Sequence, residues 1–208
     1  MSRIVSDKRR PEIVEAAIRS ISKNGLPAPS YDKIAEEAGI SRQLIRHYFP
    51  NPEAMMVELC SGRPDVYRAW FNELCRSVPP RDHFKTLLDV YFTQMDVDPA
   101  GKRGKTALFD AMMCLAINSE TIRTNLRDQF SEYQELIANV IATSFPALSA
   151  ETCRELGFLI LGLVFGHSRM VAMLGFSTDY NQVVKQAIED MVKMRCDMAD
   201  QHMTVAAE

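Results

Sequence analysis

Residues 35–50 read AEEAGISRQLIRHYFP, and the architecture turns on this stretch. Two short helical pieces flank a Gly39-Ile40-Ser41 step. Gly39 has no Cβ and suits the left-handed residue that ends a helix. Ser41 is a natural cap for the helix that follows, about 42–49. Upstream, Ser30 can cap a helix over about 31–38, whose Ile34, Ala35 and Ala38 turn inward. A helix, a glycine turn and a second short helix make a helix-turn-helix. Ile40, Leu44 and Ile45 join the two helices, and the small Ala35 and Ala38 permit close crossing. Arg42, Gln43, Arg46 and His47 are then left outside, with Leu44, Ile45 and Tyr48 leaning at least partly in.

The second helix of such a unit lies in the DNA major groove with its first residues at base edges. Gln43 and Leu44 suit base contact, through polar readout and contact with a thymine methyl. Arg46 and His47 suit phosphate, with Ser30 and Tyr31 at the preceding helix start. Ser41, Arg42 and Tyr48 complete the expected DNA face. Spacing alone also fits a merely solvated face on a small three-helix unit.

Outward from this centre, Ile13, Ala17 and Ile21 form a helical stripe that stops at Asn24-Gly25. Pro27 and Pro29 keep the link extended. Asn51-Pro52-Glu53 is a helix start, with a cap, a proline at the first position and an acid in the first turn. Met55, Leu59, Val66, Trp70 and Leu74 carry its stripe onward, interrupted at Gly62 and Pro64. Later stripes are Phe84/Leu88/Tyr91/Met95, Leu108/Met112/Leu115 and Ile122/Leu126/Phe130/Tyr133/Ile137/Ile141. Two long helices close the chain, about 149–174 and 179–199, with fraying expected beyond. Nothing alternates as a strand does, so the fold class is all-α.

Residues 9–59 resemble the N-terminal domain of the TetR family of bacterial transcriptional repressors. The resemblance rests on IVEAAIRSISKNG (13–25), YDKIAEEAGISRQLIRHYF (31–49) and NPEAMMVEL (51–59). It implies an all-helical homodimer with an N-terminal DNA-binding domain, 1–50, and a ligand-binding and dimerisation domain, 51–208. It also implies a small molecule that releases DNA. Two positions depart from the pattern. Arg46 stands where the family usually has Tyr, and Pro52 where it often has a phosphate-supporting Lys.

Charge agrees with a nucleic-acid-binding head. The 208-residue chain has a formal charge of −3. Residues 1–50 hold nine Lys/Arg against six Asp/Glu, and the remainder fifteen against twenty-one. The N-terminus lacks a secretory pattern. The most apolar run, Leu156–Gly166, reads as a buried helix too short for a bilayer. Five scattered cysteines without C-x-x-C fit reduced thiols, so a cytoplasmic protein without membrane contact is expected.

The helix from 156 to 174 is apolar nearly all round, so more than its own chain must cover it. Gly157, Gly162 and Gly166 would admit a neighbouring helix. Val183, Ala187, Met191, Met194 and Met198 form a second stripe on the last helix. Together these are the expected dimer interface, and a dimer calls for a near-palindromic operator. Large apolar surface for a pocket comes from Tyr67, Trp70, Phe71, Tyr91, Phe92, Phe109, Met112, Met113, Tyr133 and Phe165. They imply a largely apolar or aromatic effector, with a cation over aromatic faces as a variant. The Gly62–Pro64 interruption is a place where a shift between head and pocket could be absorbed. The four histidines have no metal spacing, and no phosphate loop, nucleophile elbow or dinucleotide fingerprint occurs. No enzyme, metal or cofactor is expected. A transcriptional activator and a helical protein-binding adaptor are the alternatives to a ligand-released repressor.

Overall fold

The computed structural model describes residues 2–24, 30–60, 64–76, 78–97 and 109–205. All regular structure among them is helical. The helices are α1 Ser2–Asn24, α2 Tyr31–Ala38, α3 Arg42–Tyr48, α4 Pro52–Cys60, α5 Pro64–Cys75 and α6 His83–Val97. A helical stretch at 109–116 is α7. Then come α8 Glu120–Ser144, α9 Ala150–Ser168 and α10 Tyr180–Val205. Gly25, Pro27, Pro29, Gly62, Asp98–Gly101 and Leu108 lie outside the described residues, as do the side chains of Val66, Tyr67, Trp70, Leu74 and Met95.

The chain forms two compact units. One comprises Met1–Gly62 and Arg103–Gln129, the other Arg63–Lys102 and Phe130–Glu208. Helix α8 contributes to both.

In the first unit, α1 packs on α2 and α4, and α2 packs on α3. Ile13, Ala16, Ala17 and Ile21 of α1 are fully buried, as are Ile34, Ile45 and Phe49. The expected stripe of α1 therefore faces the core. At the start of α4, Asn51 Oδ1 accepts from Glu53 N–H at 2.6 Å. Ser119 Oγ caps α8 through Ile122 N–H at 3.3 Å and donates to Glu53 Oε1 at 2.5 Å.

The second unit has its own core. Phe71, Phe84, Leu88 and Phe92 meet Ile141, Leu156, Ile160, Ile188 and Val192. Ser144 Oγ joins α8 to α6 by donating to the Pro80 carbonyl and accepting from Phe84 N–H, both at 3.0 Å. Lys185 of α10 pairs with Asp89 of α6 at 2.5 Å.

Three expectations change here. Residues 149–174 are not one uniform helix. Ser149 caps α9 as its hydroxyl accepts from Thr152 N–H at 3.1 Å, but α9 ends at Ser168 and Arg169–Met173 form a π-helical turn. This wider bonding lets Val171 and Ala172 pack against Tyr91. Helix α10 continues to Val205 rather than fraying after Ala199. The apolar run is also part of a longer element. Ala150–Met173 has 24 residues, and an 18-residue window within it has a mean hydropathy of 1.6, long and apolar enough to cross a membrane by those measures alone. The expected buried helix is only partly covered: Cys153, Leu156 and Ile160 turn into the second unit's core, while Phe158, Leu159 and Leu163 are exposed.

Candidate nucleic-acid interface and effector-binding body

The helix-turn-helix is built by local bonds. Gly39 ends α2 at φ 65°, and its N–H reaches back to the Glu36 carbonyl at 3.3 Å. Nothing lies within 4 Å of where its Cβ would stand, so backbone conformation is what calls for glycine there. Ile40 N–H donates to the Ala35 carbonyl at 3.0 Å. The hydroxyls of Ser30 and Ser41 cap α2 and α3, accepting from Lys33 N–H at 3.4 Å and Leu44 N–H at 3.2 Å. Ile45 is the fully buried side chain of α3. Gln43, Arg46 and His47 are exposed, while Leu44 and Tyr48 are half-buried. The Tyr48 ring meets His47 edge-on with centroids 5.3 Å apart.

Two residues of the expected DNA face have partners that no spacing announces. Arg42 Nη1 pairs with both carboxylate oxygens of Asp32, at 3.0 and 3.2 Å, tying α3 to α2. Tyr31, expected at the phosphate, is instead buried and donates its hydroxyl proton to the Phe49 carbonyl at 2.7 Å. Burial pushes that hydroxyl up from its usual 10.0, and the charge of Arg46 opposes the rise. Tyr31 therefore braces the exit of α3. On the opposite side, Glu37 takes Lys23 at 2.7 Å and Arg19 at 3.1 Å. The hydrogen bond from Lys23, then that from Arg19, holds its carboxyl below the ordinary 4.5.

The residues expected in a pocket divide between the two units. Phe109, Met112 and Met113 belong to the first, where Met112 is buried and Met113 exposed. Phe71, Tyr91, Phe92, Tyr133 and Phe165 belong to the second. There Tyr91 donates its hydroxyl to the Val164 carbonyl at 3.0 Å and meets Phe92 edge-on at 4.9 Å. His167, itself buried, stands 5.3 Å from Phe92. Phe165 meets Phe130 edge-on at 5.1 Å, and Phe130 lies 6.4 Å from Tyr133. The Arg169 guanidinium covers the Phe165 face at 3.2 Å and donates to the Phe165 carbonyl at 2.7 Å. Sequence reasoning missed Phe130 and Arg169. Phe71 also lines an open cleft of about 640 Å³ beside α5 and α8, with Cys75, Leu136 and Val140 and a polar rim that includes Arg68 and Glu132. Among the described residues no cluster of His, Cys, Asp or Glu is arranged to hold a metal ion.

Of the expected interface, Val183 is 60% and Met194 55% exposed, Met198 and Ala187 are exposed too, and Met191 is half-buried against the core. Gly162 and Gly166 are open, with nothing within 4 Å of where a Cβ would stand. Gly157 needs correction. An added Cβ would stand 2.7 Å from the Gln134 carbonyl oxygen and 3.3 Å from Ala138 N, so this glycine lets α9 approach α8 of its own chain. The open face of α9 instead carries Phe158, 66% exposed, with Leu159 and Leu163.

A capped helix-turn-helix followed by a helical body with an aromatic interior defines a DNA-binding regulator with a separate sensing domain. Residues 13–59 match the family model described as bacterial regulatory proteins, tetR family. The match makes the head a DNA-binding domain of the tetR type, and the chain is a transcriptional regulator. It is 27% identical over 178 residues to the HTH-type transcriptional regulator BetI of Agrobacterium fabrum, covering 82% of each chain. With BetI of Burkholderia ambifaria the identity is 23% over 183 residues, 86% of this chain and 90% of that one. Solved structures share the fold. A TetR transcription regulator from Haloarcula marismortui superposes with a TM-score of 0.74 at 15% identity, covering 91% of this chain and 98% of the other. A transcriptional regulator from Saccharomonospora viridis in complex with choline gives 0.71 at 20% identity, with 90% and 96% covered.

Proposed function

We infer that the protein is a cytoplasmic, homodimeric repressor that a small organic effector releases from a near-palindromic operator. The observation that carries this reading is the α3 surface, where Ile45 is buried while Gln43, Arg46 and His47 stand in solvent. Gln43 and Leu44 read bases. Arg46, His47 and Ser30 hold phosphate, and Ser41, Arg42, Tyr31 and Tyr48 keep the helix in register. The functional division is a head of residues 1–50 and a body of residues 51–208. The uncovered apolar face of α9 and α10 supports the dimer, because a patch of this kind on a soluble chain marks an interface.

The effector is taken up by aromatic side chains of the body. Tyr91, Phe92, Phe130, Tyr133 and Phe165 supply faces and edges that suit an apolar or quaternary ammonium group. Choline is the first compound to test, because a regulator of this fold was solved with choline bound. Release follows when the effector binds better to the conformation whose heads no longer fit the groove. The test starts with duplex fragments selected from the source genome by the wild-type protein. Recovery of one near-palindromic sequence, released by choline or a related cation with a change in Trp70 emission, supports the reading. Fragments without shared sequence would overturn it.

A further inference from the structure

Arg10 of α1 makes several contacts at once in the DNA-binding head. Its Nε and Nη2 each lie 2.6 Å from Glu58 Oε2 on α4. Its Nη1 donates to the Tyr48 carbonyl at 3.3 Å, and its guanidinium carbon sits 4.5 Å from the centre of the Phe49 ring. Phe49 is fully buried, and its carbonyl takes the Tyr31 hydroxyl. The chain leaving the recognition helix is therefore gripped from α2 by Tyr31 and from α1 by Arg10, which Glu58 anchors on α4.

We propose that Arg10, oriented by Glu58, is a positioning residue that fixes the exit of α3 for operator reading and does not itself bind DNA. Helix α3 has seven residues, too few to hold a direction by its own helical bonds. Its last carbonyls lack intrahelical donors, and a cation at that end also interacts favourably with the helix dipole. The planar fork of Arg serves Glu58, the Tyr48 carbonyl and the Phe49 face together, which a Lys ammonium does not. The Arg10 side chain is 47% and that of Glu58 33% exposed, so the pair adds little to stability. Its loss leaves the head folded but its reading helix misdirected, and a small misplacement is enough to spoil a recognition geometry.

The proposal rests on the repressor reading above, and the experiment separates the two. Operator and non-specific duplex affinities of the full-length protein are measured across a salt series for wild type, Arg10→Ala, Glu58→Gln and the double variant. The ratio of the two affinities is the readout, because loss of folded protein lowers both alike. Each single variant is expected to lower that ratio about fivefold to tenfold with an unchanged salt slope, and the double variant to be no worse than either. A direct phosphate contact would look different: Glu58→Gln would bind as wild type, and Arg10→Ala would shallow the slope by about one. That result, additive losses or unchanged ratios would each overturn the proposal. A wild-type protein without operator preference would bring down the repressor reading and this proposal with it. A selective wild type with equally selective variants would bring down the proposal alone.

Discussion

The head and the body of this protein are both helical, yet they leave opposite surfaces exposed. The head uses short helices, α2 with eight residues and α3 with seven, each started by a serine cap. Its outward side chains are polar, and many are joined in ion pairs such as Arg42–Asp32 and Arg9–Glu12. The body uses long helices, α8 with 25 residues and α10 with 26, and exposes Phe158, Leu163, Val183 and Met194. The contrast fits the partner proposed for each surface. A polyanion requires donors held in fixed directions. A second copy of the chain, the partner proposed for the body, would offer apolar surface to match the body's own.

The largest expected effect comes from giving the body a surface like the head's. Phe158→Glu with Leu163→Glu places charge on the open face of α9. The double variant is expected to sediment as a monomer and to lose operator affinity about 100-fold or more, because one head then holds one half-site. A dimer with intact affinity would move the interface elsewhere.

A pair of glycines tests the two faces of α9 next. Gly157→Ala drives a methyl to 2.7 Å from the Gln134 carbonyl oxygen, so α8 and α9 must separate. A cost of about 1–3 kcal/mol is expected in chemical denaturation. Gly162→Ala meets nothing within 4 Å and exchanges a poor helix former for a good one, so the fold is expected to gain up to about 1 kcal/mol. Equal effects of the two would show that the faces are not distinct.

Within the head, Gln43→Ala and Arg46→Ala sharpen the separation of reading from holding. The first is expected to relax preference at one base pair, worth about 1–3 kcal/mol of discrimination. The second is expected to weaken all duplexes alike and to shallow the salt slope by about one. Competition titrations over single-base operator variants distinguish them.

The smallest effect is a pH dependence confined to the head. The folded Glu37 carboxyl titrates below its ordinary 4.5 because Lys23 and Arg19 bond its charged form. Its contribution is therefore complete above that ordinary value and is lost as pH falls through the lower folded value. Acid melts of Glu37→Gln are expected to show a shallower fall of stability below about pH 4.5 than wild type. Parallel curves would mean that the pairs with Lys23 and Arg19 do not persist in solution.

The elements that local bonds create were legible in the chain itself. Ser30, Ser41 and Asn51 announced helix starts because each cap reaches a backbone N–H only two or three residues ahead. Gly39 announced the turn because φ 65° favours a residue without a Cβ. The stripe of Ile13, Ala17 and Ile21 was legible for the same reason, since helical period alone gathers it on one face. Partners far apart along the chain emerged only from packing. Tyr31 reaches Phe49, Arg10 reaches Glu58 and Tyr91 reaches Val164, and none of these pairings follows from a spacing. The same holds for α9. Its composition told that it was apolar nearly all round, but which face was covered depended on where α8 and α10 crossed it. That crossing set Gly157 against Gln134 and left Phe158 in solvent, because a helix presents every direction equally until a neighbour packs on one of them.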